Sequence, residues 1–183
     1  MRSHHTSTLA VERAQPADAS AAEALLDAAA VWLQNRGIDQ WKPGQFSEEV
    51  RQTIASGDLF VARRGGALVG CFLLEVEEPP SVTRWLLDKQ RGATPGAFLA
   101  RLAVARDAAG RGLGVELLNS ACAIAAQLGL GELRLVCVAD NDRLRQYYLD
   151  AGFAYCGEIH TRGPNGEHWV TSLFERSTRM EGP

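Results

Sequence analysis

Apolar positions along this chain of 183 residues change their spacing several times, and the changes mark its elements. Leu9-Ala-Val-Glu-Arg13 alternates well enough to predict a first strand. From Pro16 the spacing becomes helical: Leu25, Leu26, Ala29, Trp32 and Leu33 form a stripe that runs toward Arg36, and Gly37 ends it. Asp18 or Ser20 can cap this helix, and Ser20 with Glu23 fits a capping box. Trp32 lies on the helix and is assigned to its core. Residues 37–44 read as a loop punctuated by Pro43 and Gly44. Ser47 opens a short second helix to Ile54, closed by Gly57. Asp58–Arg63 and Ala67–Val76 are strands joined by the hairpin signal Gly65-Gly66.

The next stretch, 77–96, holds Pro79, Pro80, Gly92 and Pro95 but also Val82, Trp85, Leu86 and Leu87. It has room for one short helix, and reads either as a functional lid or as a surface insertion packed by Trp85. Phe98–Val104 is a strand, 106–114 a glycine-rich turn, and Val115–Leu128 a helix with Leu118, Ala121, Cys122, Ala125 and Leu128 on one face. Leu133–Val138 is strongly apolar, which predicts a central, buried strand. A helix over Asn141–Ala151 ends at Gly152. Strands Phe153–Thr161 and Trp169–Phe174 follow, joined by Gly163-Pro-Asn-Gly166. The order β-α-α-β-β-β-α-β-α-β-β predicts a mixed α/β (α+β) domain over 9–176, with tails at 1–8 and 177–183. His4 and His5 fall in the first tail and read as solvated.

Composition narrows the function. With 46% hydrophobic and 22% charged residues, the chain is of ordinary globular type. A net charge of −3 argues against nucleic acid as the main partner. No run of about 18 uncharged apolar residues is present, so no membrane span is expected. The first ten residues have no apolar core of a secretion signal, which makes the expected location cytoplasmic. Cys71, Cys122, Cys137 and Cys156 are widely spaced in apolar stretches and read as reduced, buried thiols; no metal site is expected.

The informative segment runs from Val104 to Leu118. A strand enters a loop with three alternating glycines, Gly110, Gly112 and Gly114, and then an amphipathic helix. Glycine lets the backbone turn sharply and lets a ligand approach its amides. The helix start leaves N–H groups unpaired and carries about half a positive charge. Together these make an anion site suited to phosphate. The dinucleotide fingerprint fails, because Val115 stands where a third Gly or Ala is needed. Neither lysine, Lys42 or Lys89, follows a glycine, so the nucleotide-triphosphate loop is absent too.

The segment Ala109-Gly110-Arg111-Gly112-Leu113-Gly114 resembles the acyl-CoA-binding motif of the GNAT acetyltransferase superfamily, Arg/Gln-x-x-Gly-x-Gly/Ala. The family's strand, Asn, Tyr and Gly-Phe also have counterparts, in Leu135–Val138, Asn141, Tyr148 and Gly152-Phe153. Val11–Asp18 is similar to its opening strand and first helix, so the resemblance spans about residues 9–175. It implies a mostly antiparallel mixed sheet of six to seven strands flanked by helices, splayed between the fourth and fifth strands. It implies acetyl-CoA as cosubstrate, with no metal. The pyrophosphate would lie on Ala109 to Gly114, the pantetheine arm along Leu102, Ala103 and Val104, and Asn141 would be a cofactor ligand or a cap. Tyr148 would donate a proton to the departing thiolate; the other reading makes it a packing residue and Tyr147 the exposed one. The chain departs from the pattern at Ala109, where the family has Arg or Gln. Backbone amides, helped by Arg106 or Arg111, would have to hold the pyrophosphate.

The implied acceptor is a small-molecule or peptide amine, and a homodimer stays open. An alkyl amine with a pKa of about 10.4 is less than about 0.1% neutral at pH 7, so a base must take its proton. Some relatives carry a glutamate on the strand before the loop, where Phe98 stands here. Glu75 and Glu77 are the leading candidates, placed on one face of the third strand by side-chain alternation. Glu158, His160 and Asp88 are alternatives. Trp41, Trp85 and Trp169 fall in segments that build the acceptor side in this fold, where aromatic faces suit a cationic amine. The competing function is a non-catalytic CoA-binding or interaction module on the same fold.

Overall fold

The computed structural model describes residues 8–38, 40–90, 94–162 and 168–179. His4, His5, Gly92 and the turn Gly163–Gly166 lie outside these. The elements are β1 (Ala10–Arg13), a 3₁₀ turn (Pro16–Asp18), α1 (Ala19–Gln34), α2 (Ser47–Ser56), β2 (Leu59–Arg64), β3 (Ala67–Glu75), α3 (Pro80–Asp88), β4 (Gly96–Val104), α4 (Leu113–Gln127), β5 (Glu132–Val138), α5 (Asp142–Asp150), β6 (Ala154–Arg162) and β7 (His168–Ser177). The strands form one mixed sheet in the order β1-β2-β3-β4-β5-β7-β6. Its parallel pair is β4 with β5, over three residues, Gly96–Phe98 against Glu132–Arg134. Among the described residues no helix is long and apolar enough to cross a membrane.

Contacts divide the chain into two compact units, and β4 contributes to both. The first takes in the chain as far as Leu73 together with Arg101–Leu117. Here β1 and β3 flank β2 in antiparallel register. Helix α1 buries Leu25, Leu26 and Ala29 of the expected stripe together with Ala22 and Ala30, while Leu33 is only half-buried. Its start differs from the expected one, since no Ser20–Glu23 capping box forms. The Asp18 carboxylate instead accepts from the Gln15 N–H at 2.9 Å and pairs with Arg63. The Gln15 amide, and after it Arg63, hold that carboxyl below the usual range, against the opposing effect of burial. Trp32 is not core: it is half-buried, with Arg36 and Arg106 stacked on its ring at 3.9 and 4.4 Å. Gly57 closes α2 in the left-handed conformation. Gly70 of β3 matters for packing, because a Cβ there would lie 2.7 Å from Leu117 Cδ1 and 3.1 Å from the Ala103 carbonyl.

The second unit comprises Leu74–Ala100 with the chain from Leu118 onward. Stretch 77–96 does form a helix, α3, whose Val82 and Leu86 join Phe98, Ile159 and Leu173 in one apolar cluster. The Trp85 indole donates to the Glu158 carbonyl at 2.9 Å, which satisfies an acceptor on the terminal strand β6. Gly157 makes room: a Cβ there would lie 2.8 Å from the Trp85 ring. Both ends of the stretch are tied to β5 by Arg134, 3% exposed. Its Nη1 bonds Glu78, both Nη atoms reach the Thr94 carbonyl at 3.2 Å, and Nε lies 3.5 Å from Glu175.

Two expectations change in this unit. Strand β3 ends at Glu75, so Glu77 lies beyond it in a bend and shares no strand face with Glu75. The draw of Glu78 toward Arg134, and Pro79-Pro80, which cannot extend a ladder, explain the early end. The expected C-terminal tail starts too early at 177. Ser177 pairs with Glu132, and Thr178 is buried with its hydroxyl on the Leu130 carbonyl.

Removing one partner of a buried ion pair leaves the other charge uncompensated. Glu78→Ala is expected to lower stability by about 3 kcal/mol, at the low end for such pairs because Glu175 and Thr94 remain. Urea unfolding checks this. Glu48→Ala, which breaks an exposed pair with Arg51 on α2, should leave the midpoint in place.

Candidate active site

In the first unit, β4 leads through Leu102, Ala103 and Val104 into a turn over 106–110, and α4 begins at Leu113. The helix starts two residues before the expected Val115, so Leu113 and Gly114 form its first turn. Its first backbone bond runs from Glu116 N–H to the Gly112 carbonyl at 3.1 Å. The amides of Leu113, Gly114 and Val115 therefore precede the ladder. Gly110 and Gly112 have φ of +77° and +80°, and a Cβ on either would meet nothing within 4 Å. The backbone is thus bare on the side where side chains would stand, next to the positive end of a helix dipole. Arg106 and Arg111 are exposed beside it, Arg106 stacked on Trp32. Ala109 supplies no side-chain donor. The residues present fit a pyrophosphate held by amides and flanking arginines.

Sequence reasoning singled out Trp41 in this unit but passed over Arg101 and Glu49. Arg101 is a lone charge inside the apolar run Phe98–Val104, and that was the available signal. Its φ is +52°, which among the described non-glycine residues only Gln90 shares. Its Nε donates to both carboxylate oxygens of Glu49, at 3.1 and 3.0 Å.

In the second unit, Asn141 caps α5: its Oδ1 accepts from the Leu144 N–H at 3.1 Å. Tyr148 is buried, with its ring against Tyr147, Phe153 and Phe174 at 5.5, 6.0 and 5.6 Å. Burial above all, then Cys137 and Tyr147, push its phenol above the usual tyrosine range. Burial likewise raises Tyr147, which is half-buried, and takes the Cys137 thiol to about 11, against the pull of Arg145. The Tyr148 side chain is therefore a packed, protonated phenol. Glu75 is half-buried at the end of β3 and Glu77 is exposed. Phe98, at the position of the relatives' glutamate, is packed in the α3 cluster. His160 Nε2 lies 3.7 Å from Glu158, and its Nδ1 lies 3.3 Å from His168 Nε2; all three are exposed. Asp88 ends α3 in solvent and Trp169 is largely exposed. The four cysteines are free, three of them buried and Cys156 partly exposed. Among the described residues no cluster of three or more His, Cys, Asp or Glu could hold a metal ion.

Residues 26–153 match the acetyltransferase (GNAT) family. The chain is 32% identical over 174 residues to the N-acetyltransferase YesJ of Bacillus subtilis, covering 90% of this chain and 87% of that protein. A GNAT-family acetyltransferase structure from Streptococcus agalactiae superposes with a TM-score of 0.77 at 16% identity, covering 96% of this chain and 99% of that one. The structure of yncA from Salmonella typhimurium, with its cofactor acetyl-CoA, gives 0.65 at 13% identity, covering 96% of each chain.

A buried phenol that stays protonated has a measurable signature. Its pKa is higher in the folded chain than in the unfolded one, so this contribution to stability is complete below about pH 10 and is lost as pH rises further. An ultraviolet titration of the native protein should show one of the three tyrosines ionising late, with alkaline unfolding. Tyr148→Phe should remove that late step. A late step that survives the substitution would assign it to another tyrosine.

Proposed function

Since the chain belongs to the acetyltransferase (GNAT) family and is an acyl-CoA-dependent N-acetyltransferase, we propose that it moves an acetyl group from acetyl-CoA to a primary amine by direct attack. The observation that carries this reading is the pair of bare, positive-φ glycines, Gly110 and Gly112, at the start of α4. Acetyl-CoA supplies an activated thioester. Everything else falls to the chain.

The amides of residues 110–115 hold the pyrophosphate, where each charge-assisted bond contributes about 1.5–3 kcal/mol. Arg106 and Arg111 add charge that Ala109 does not. The backbone of Leu102–Val104 orients the pantetheine arm. Tyr148, kept neutral by burial, gives its proton to the sulfur as the C–S bond breaks. Asn141 serves the site through the cap that fixes the start of α5. The amine must arrive neutral, and Glu75 is the first choice to take its proton, directly or through water. Glu77, outside the strand, is the second. The need for that base follows from the amine acceptor that the family implies, and the compartment we assign is the cytoplasm. Release of free thiol from acetyl-CoA across a panel of primary amines tests the activity.

Two substitutions test the parts. Gly112→Asp places a carboxylate where the pyrophosphate would lie, in open space that tolerates the added atoms. Calorimetry should show acetyl-CoA affinity lost while the fold survives; unchanged affinity would remove the loop from the site. Tyr148→Phe keeps the ring and deletes the hydroxyl. A thiol near pKa 8.5 is already a fair leaving group, so the expected fall in kcat is about 10²-fold, with acetyl-CoA affinity nearly unchanged. Wild-type kcat where chemistry limits the rate would exclude Tyr148 as the acid, and a fall in Tyr147→Phe instead would move the role to its neighbour.

A further inference from the structure

We propose that Arg101 recognises a carboxylate on the acceptor, so that the substrate class is an amine that also bears a carboxylate, as an amino acid does. The proposal rests on the acetyl-transfer reading and names the substrate of that same site.

Four observations in the first unit carry it. First, the backbone at Arg101 is in the left-handed region, φ +52°, inside a strand. A side chain there costs strain that a glycine or asparagine would avoid, and such strain persists where the surroundings force it. Second, the guanidinium is clamped. Its Nε donates to both oxygens of Glu49 on α2, and its cation lies 5.7 and 5.6 Å from the ring centres of Trp41 and Phe46. Those rings are buried and meet edge to face at 5.7 Å, so they are a rigid floor. Third, the clamp uses only the Nε edge. Among the described residues neither Nη atom has a hydrogen-bond partner, and the side chain is 30% exposed. Fourth, Arg101 directly precedes Leu102, the first residue assigned to the pantetheine arm, and one residue of extended chain spans at most about 3.6 Å.

A plain staple between β4 and α2 explains the Glu49 contact. It does not explain an arginine held by one edge, with no described residue on its fork. A planar pair of N–H donors matches the two oxygens of a carboxylate, and prior immobilisation spares most of the side-chain entropy that binding would otherwise cost. Glu49, beside the fork, offers its own charge to the ammonium end of such a zwitterion before that amine is deprotonated.

The test uses amines offered as matched sets: a free amino acid, its carboxamide, and the amine lacking the carboxyl group. Wild-type protein should acetylate the carboxylate form with a kcat/KM about 10- to 100-fold above the carboxamide, the range that charge-assisted hydrogen bonds give. Arg101→Asn, a residue suited to this φ, should keep the melting temperature and bring that ratio close to one. Arg101→Lys, which keeps the charge and loses the fork, should fall between the two. A wild-type ratio near one, or a ratio that survives Arg101→Asn, would overturn the assignment. Thiol release with amines that lack a carboxyl group, at equal rates, overturns this inference and leaves the acetyl-transfer reading standing. Absence of acetyl-CoA binding by calorimetry overturns that reading, and this inference with it.

Discussion

The helix that opens on the proposed anion site can lie where it does because Gly70 has no side chain. Leu117 of α4 and the Ala103 carbonyl of β4 both occupy the space a Cβ would need, at 2.7 and 3.1 Å. Interiors are close-packed, and an extra carbon in such a contact displaces its neighbours. The approach of α4 to β3 and β4 sets where the first turn of the helix begins. It leaves only residues 105–112 to span from strand to helix, and Gly110 and Gly112 take the left-handed conformations that so short a connection requires. The same geometry that makes the turn leaves its amides bare. The proposed anion site is thus a by-product of close packing, sharpened by a helix dipole.

Strand β4 is the second determinant. Its first residues pair in parallel with β5, and its last lead into the glycine turn. Between them Arg101 breaks the regular backbone. In the first unit the clamp of Glu49, Trp41 and Phe46 on Arg101 holds that break in place. In the second unit Arg134 does comparable work by different means. It draws Glu78 and Thr94 onto β5, and the intervening α3 delivers Val82, Leu86 and Trp85 to the sheet and its terminal strand. The described part of the 77–96 stretch is therefore a packed insertion anchored at Glu78 and Thr94.

What could be read from the sequence was mostly local. Alternation and helical spacing located β1, the hairpin of β2 and β3, β5 and most of the apolar faces of α1 and α4, although Leu128 lies past α4 and is exposed. Gly57 and Gly152 stood where their helices end. The glycine spacing, with Asn141, Tyr148 and Gly152-Phe153, pointed to the family. What escaped was settled by partners distant in sequence. Asp18 precedes α1 and is taken by Arg63, and the helix starts without the Ser20–Glu23 box. Glu78 is taken by Arg134, which ends β3 before Glu77. Trp32 looked like core on its helix, but Arg36, four residues on, and the distant Arg106 stack on its ring. Arg101 and Glu49 are 52 positions apart, and nothing in local spacing joins them.

The proposed mechanism makes the amides at the start of α4 the ligand-binding surface. It is tested most directly by following the backbone amide resonances of the labelled protein while acetyl-CoA is added. The amides of Gly110, Gly112, Leu113 and Gly114 should shift first and furthest, toward the positions of strongly hydrogen-bonded N–H groups. Acetyl-CoA that binds while those amides stay where they are would contradict it.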